Sequence, residues 1–161
     1  MIFFTVGTEQ FDFDRMIQAA DLVAAALPEE EVFVQVAGNT RPPQTAKWER
    51  WLSYQDFAQR IEEARIVVTH AGAGSLLSCA SRGKVAVTVP RRHEYGEHVD
   101  NHQVEFAERM ADMGHAIVGE TPEELCRLVV EYDSAVCGLS KHAVSAPTLA
   151  TRLKTWLEEG A

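Results

Sequence analysis

Between two apolar runs the chain carries His70-Ala71-Gly72-Ala73-Gly74-Ser75. Small residues at this spacing let backbone approach a ligand closely. The stretch that precedes them, "RIVVT", reads as a strand, and "GSLLSCASRG" after them reads as a helix ending at Gly83. A turn between a strand and a helix start aims unpaired N–H groups and a positive dipole end at one space, where a phosphate or another anion fits. His70 is read as shaping this turn. A second polar run, "PRRHEYGEHVDNHQ" (residues 90–103), follows the next strand, "KVAVTVP". Arg91 and Arg92 suit a diphosphate or a sugar carboxylate. Tyr95 and Gly96 form a turn, and Asp100, Asn101, His102 and Gln103 offer hydrogen-bonding groups of the kind sugar hydroxyls need.

Several other chemistries are disfavoured. "GAGSLL" lacks the third glycine of a dinucleotide fingerprint and follows a late strand, and no phosphate-binding G-x-x-x-x-G-K-[ST] run exists. Asp12 and Asp14 in "DFD" spell the D-x-D of metal-dependent sugar transfer, but they stand before a helical pattern, where an aspartate caps N–H groups. His93, His98 and His102 are spaced by five and four, which fits no usual structural zinc site, so no metal is expected. The formal charge of −9 argues against nonspecific nucleic-acid binding and unaided binding to an anionic membrane.

These loops need a scaffold, and the chain supplies one by alternation. "MIFFTV" is a continuous apolar run, the pattern of a strand buried on both faces. Strands then alternate with helical patterns, giving five to six strands in an open, mostly parallel, Rossmann-like sheet with helices on both faces. The 161 residues suffice for one domain, with a core over about 1–132. "DSAVCGLSKHAVSAP" reads as a loose connection. A last helix over about 147–158 places Leu149, Leu153, Trp156 and Leu157 on one face, for packing on the sheet or docking a partner. No stretch approaches the roughly 20 apolar residues of a membrane helix, and the opening residues do not read as a signal peptide. Three cysteines without metal-type spacing read as reduced thiols in a cytosolic protein.

Three stretches together, "VGTEQFDFDRMI", "THAGAGSLLSCASRGKVAVTVPRR" and "YGEHVDNHQVEFAERMADMGHA", resemble the nucleotide-sugar-binding half of family 28 glycosyltransferases. Within that family the likeness is to short single-domain catalytic subunits of bacterial exopolysaccharide and capsule synthesis. These are similar to the small subunit of the eukaryotic enzyme that adds the second N-acetylglucosamine to a dolichol-linked precursor. The resemblance implies the C-terminal half of a GT-B fold. It implies an inverting, metal-independent transfer from a UDP-sugar, which is a substrate and not a cofactor, to a lipid-diphosphate-linked sugar. It also implies a membrane-associated partner subunit that binds the acceptor and recruits a cytoplasmic chain to the inner membrane face.

The resemblance makes Gly7 and Thr8 of the first loop, with His70, Gly72, Ala73, Gly74 and Ser75 of the turn, the uridine and diphosphate side. It puts Gln103, with His102 and Asn101, against the sugar. Many relatives carry a ribose-binding glutamate where this chain has Ser78, which can make one hydrogen bond. Candidate general bases are His98, Glu97, Glu9 and Asp12, unless the partner supplies the base. Two rival readings are a non-catalytic nucleotide-sugar-binding or scaffold subunit and a UDP-sugar 2-epimerase, which normally needs two such domains.

Overall fold

The computed structural model describes residues 1–143. Its strands are β1 (Ile2–Thr5), β2 (Val32–Gln35), β3 (Lys47–Glu49), β4 (Ile66–His70), β5 (Ala86–Val89) and β6 (Ala116–Val118). They form one sheet in the order β3-β2-β1-β4-β5-β6, with every pairing parallel. The helices are α1 (Asp14–Ala26), α2 (Tyr54–Glu63), α3 (Ala73–Ala80), α4 (His102–Asp112), α5 (Pro122–Val130) and α6 (Tyr132–Ala143).

The first apolar run is buried because both faces of the sheet are covered. Ile2, Phe4 and Val6 join Met16, Ile17, Ala20 and Val23 of α1 and Leu125 and Val129 of α5 on one face. Phe3 points the other way, into Phe33, Ile61 of α2, Leu76 and Cys79 of α3, and Met110 of α4. The two-residue alternation of a strand thus feeds two cores from one segment. Burial at Cys79 pushes its thiol up to about 12, so it behaves as a small hydrophobe. At α5 the Thr121 hydroxyl accepts from Glu124 N–H at 3.2 Å and Pro122 takes the first turn, the start read from the sequence.

Two local readings change. Asp12 does not cap α1. Phe13 occupies the cap position, and the Asp12 carboxylate instead accepts the N–H (2.7 Å) and hydroxyl (2.8 Å) of Thr40, tying the first loop to the one after β2. The stretch after α5 is not a loose connection as far as residue 143: it is α6. Its Ser and Gly residues obscured a helical spacing of Tyr132, Ala135, Val136 and Leu139, which are its partly buried positions. The Tyr132 hydroxyl donates to Val85 O at 2.6 Å and holds α6 to the sheet. The expected helix over 147–158 lies outside the described residues.

Phe3 is fully buried, with its ring 5.8 Å from Phe57 edge-on and 6.3 Å from Phe33. Phe3→Ala is expected to cost about 3–5 kcal/mol. In urea unfolding this appears as a lower midpoint with an unchanged slope.

Candidate functional site

Strand order reverses between β1 and β4: the chain builds outward from β1 through β2 and β3, then returns to start the other half at β4. Loops leaving the two strands diverge, and a crevice opens at their carboxyl ends. Here it is a cleft of about 670 Å³. Thr5, Gly7, Thr8 and Gln35 line one side; His70, Gly72, Gly74, Ser75 and Ser78 line another; Trp51, Leu52, Tyr54 and Phe57 form the third.

The floor is fixed by buried hydrogen bonds. The Thr5 hydroxyl donates to Gln35 Oε1 at 2.5 Å, and Gln35 Nε2 donates to Gly7 O at 3.0 Å and Arg50 O at 3.3 Å. Gly7 adopts a φ of +81°, open to glycine at little cost, and its N–H donates to Thr5 Oγ1 at 3.2 Å.

His70 ends β4 and its ring is wedged between two glycines. A Cβ at Gly7 would lie 2.5 Å from the ring, and one at Gly72 would lie 2.1 Å from Nε2. Gly72 is therefore small to admit the imidazole, and it also lines the cleft. Gly74 is the opposite case, because a Cβ there would meet no protein atom within 4 Å. Burial, and next the positive charge of Arg91, push the His70 pKa down to about 4, so the ring is neutral at pH 7. The first helical bond of α3 runs from Leu76 N–H to Gly72 O at 3.1 Å. The amides of Ala73, Gly74 and Ser75 precede it and have no partner within the helix. They present a positive end beside the open face of Gly74.

On the other side of this turn lies a second hollow of about 370 Å³ between Ala71, Gly72 and Ala73 and the α4 residues His102, Gln103, Glu105, Phe106 and Arg109. The turn is thus a partition, with Gly72 in both walls. Gln103 Oε1 accepts Arg91 N–H at 3.2 Å, which fixes the start of α4 against the end of β5. Asp100 accepts the His102 N–H at 3.1 Å and holds the His102 ring at 2.8 Å, raising that histidine's pKa above its ordinary value. Asn101 does not cap α4 through its side chain; its Oδ1 accepts His93 N–H at 2.9 Å.

Several expected site residues lie elsewhere. Arg91 is fully buried and donates to the carbonyls of Val6, Phe11 and Glu97, so its guanidinium is not on the cleft surface. Arg92 grips Glu120 with two bonds, at 2.9 and 2.7 Å. Glu97 is buried and clamped by Arg15 at 2.8 and 2.5 Å, and it also accepts Arg92 N–H at 3.0 Å; this removes it as a base. Tyr95, Gly96, Glu97 and Asp12 line a separate hollow of about 320 Å³ beside Arg15. His98 has Nδ1 3.1 Å from Asp100 Oδ1, a pairing that orients the ring, but neither His98 nor Glu9 is in the cleft wall. Ser78 lines the cleft with its Oγ accepting from Arg82 at 2.8 Å.

Sequence reading missed the third wall. Trp51 is 57% exposed and Tyr54 is 85% exposed, unusual for large aromatics at the mouth of a cleft. The signal was present in "WERWLSY": three large aromatics in seven residues that are otherwise polar apart from one leucine. Such rings offer flat faces for a planar group.

Residues 1–143 match the model of the glycosyltransferase family 28 C-terminal domain. The chain belongs to glycosyltransferase family 28. It is 30% identical over 122 residues to human UDP-N-acetylglucosamine transferase subunit ALG13, covering 71% of this chain and 10% of that protein. It is 32% identical over 103 residues to the UDP-N-acetylglucosamine–N-acetylmuramyl-(pentapeptide) pyrophosphoryl-undecaprenol N-acetylglucosamine transferase of Trichodesmium erythraeum, covering 62% and 26%. The chain therefore spans only a tenth to a quarter of these relatives. Among solved structures, Acinetobacter baumannii MurG matches with a TM-score of 0.59 at 22% identity, over 99% of this chain and 49% of that one. The glycotransferase of kitacinnamycin matches with 0.63 at 20% identity, over 88% and 38%. The six-stranded Rossmann-like sheet is thus one half of a glycosyltransferase fold.

Two outcomes follow from this geometry. Gly72→Ala must displace the His70 ring and is expected to lower the melting temperature by several degrees, whereas Gly74→Ala leaves it unchanged; thermal unfolding of the two variants checks this. His70 also makes stability depend on pH. Its folded pKa lies below the ordinary 6.5, so the unfolded chain takes the proton first. Stability is full above pH 6.5 and falls by up to about 3 kcal/mol as pH drops toward 4. Urea unfolding across this range should show the decline, and His70→Asn should flatten it between pH 6.5 and 5.

Proposed function

We propose that this chain is the donor-binding subunit of a glycosyltransferase that moves a sugar from a UDP-sugar to a lipid-diphosphate-linked sugar. The observation that carries the reading is the order of surfaces across the switch point: an aromatic wall, a helix start with open amides at Gly74, then a hollow that bears His102 and Gln103. A nucleoside, a diphosphate and a sugar follow one another in the same order. The uracil ring lies against Trp51 and Tyr54, the diphosphate on the Ala73–Ser75 amides, and the sugar beyond the partition with His102 and Gln103. Asn101 and Asp100 shape that second hollow from behind.

The transfer is a single displacement with inversion and without a metal. The acceptor hydroxyl oxygen bonds to the anomeric carbon as the bond from that carbon to the β-phosphate oxygen breaks. UDP leaves with the electron pair onto the α3 amides, and a base takes the hydroxyl proton. None of the expected bases His98, Glu97, Glu9 and Asp12 lines the large cleft or the second hollow, and His102, which does line the hollow, is held by Asp100. The base is therefore assigned to a membrane-associated partner that carries the acceptor and the facing half of the cleft. The fold of this domain corresponds to about half of the MurG structure. Exopolysaccharide or capsule assembly is the role that the motif resemblance implies. The lack of a base in the cleft also favours a second reading, a nucleotide-sugar-binding subunit with no catalytic part. Sugar transfer that appears when partner membranes are added to the chain distinguishes the first from the second.

Calorimetry with a panel of UDP-sugars, and with UDP, ADP and NAD as controls, is the direct test. UDP compounds are expected to bind and ADP and NAD not. Gly74→Ala fills the open face and should weaken UDP about tenfold or more with no loss of stability. Gln103→Ala should erase discrimination among sugars while retaining UDP. Absence of UDP binding, or equal loss of UDP and sugar recognition in Gln103→Ala, would sink the corresponding assignments.

A further inference from the structure

A nucleoside diphosphate brings negative charge, and this chain offers little on the cleft surface to meet it. The formal charge is −9. No lysine or arginine is among the described residues lining the large cleft, where His70 is neutral; Arg82 stands behind Ser78 and Arg109 lines the hollow across the turn. The start of α3 supplies only the equivalent of about half an elementary charge.

Arg91 lies behind the wall. It is fully buried, and main-chain carbonyls from two loops fix its guanidinium: Val6 O at 2.8 Å, Phe11 O at 3.0 Å and Glu97 O at 3.0 Å. The group lies 4.4 Å from the centre of the Phe13 ring, and its Nε has no hydrogen-bond partner. Burial lowers its pKa to about 10, so it stays charged at neutral pH. The carboxylates around it are Glu97, Glu9 and Asp12. Glu97 has both oxygens on Arg15, and the Asp12 carboxylate is on Thr40. Arg92 is matched by Glu120. Arg15, which is partly exposed, pairs with Glu97 and Glu120, so Arg91 is held by carbonyls with no carboxylate within ion-pair distance among the described residues. Val6, whose carbonyl Arg91 holds, directly precedes Gly7 in the cleft wall. The charge is felt there already, since Arg91 disfavours protonation of His70.

We propose, resting on the donor-site reading above, that Arg91 is the counter-charge for the diphosphate and acts through the wall without touching it. A charge in a low-dielectric interior acts at longer range than one in water and is little screened by salt. Because carbonyls of the fold already hold it, no side chain reorganises when the anion arrives. Arg91 is a positioning and electrostatic residue in this account, not a catalytic one.

The test compares UDP with uridine by calorimetry on the wild-type chain, Arg91→Gln and Arg91→Lys, each checked for folding by thermal unfolding. Arg91→Gln is expected to lower UDP affinity about tenfold or more and to change uridine affinity less than about twofold. Arg91→Lys keeps the charge and should keep the preference for UDP within about threefold. Equal loss of UDP and uridine in a folded Arg91→Gln chain means a merely structural residue and overturns the proposal. So does loss of the UDP preference in a folded Arg91→Lys chain. Should neither variant fold, the wild-type preference decides: it should persist between about 0.1 and 0.5 M NaCl, and its collapse would point to surface cations instead. Wild-type binding of uridine and UDP with equal affinity overturns this proposal alone. Binding of neither overturns the donor-site reading on which it rests.

Discussion

Everything in this molecule is arranged around the parallel pairing of β1 with β4. Ile2 to Thr5 align with Ile66 to Thr69, and from that seam the sheet grows outward in two directions. The chain cannot close the crevice at the seam with a crossover, because both crossovers lead away from it. What fills the bottom of the crevice is one imidazole. His70 stands between Gly7 and Gly72 and sets the separation of the two loops. The ring is effective as a spacer because it is neutral; a charged ring at that depth would lose its hydration and be opposed by Arg91.

A second set of contacts ties the loop after β5 to the same seam. Arg91 reaches back from the end of β5 to the carbonyls of Val6 and Phe11, and Arg15 of α1 reaches forward to Glu97, Pro90 O and Glu120 O. Segments far apart in the chain are locked by ionic hydrogen bonds in the interior, where losing one partner leaves the other charge unpaired. The loop from His93 to Asn101 therefore has a defined path, and it delivers Gln103 to the edge of the second hollow. The cleft is lined by residues of three segments, Thr5–Gln35, Trp51–Phe57 and His70–Ser78.

Much of this was written in the order of residues. The apolar run at Ile2–Thr5, the alternation of strands and helices, the Thr121-Pro122 helix start and the glycine turn after β4 follow from local rules: period, cap and turn chemistry act within a few residues of one another. The position of the cleft follows too, because a turn after a parallel strand is where such folds bind ligands.

Which face each polar residue shows was settled by distance in space. Two adjacent arginines look alike in sequence. Arg91 is drawn inward because carbonyls from two loops meet at its position, and Arg92 outward because Glu120, 28 residues on, lies beside it. Glu97 reads as a reactive carboxylate until α1 places Arg15 against it, 82 residues away. Gly72 and Gly74 are two positions apart in the chain, yet a Cβ at one would strike His70 and a Cβ at the other would meet open space. The sequence by itself determined the sheet, its turn and the place of the cleft, since these depend on neighbours along the chain. Only the tertiary structure decided which charges are spent inside and which side chains face the cleft, since those depend on neighbours the chain brings together from 28 to 85 residues apart.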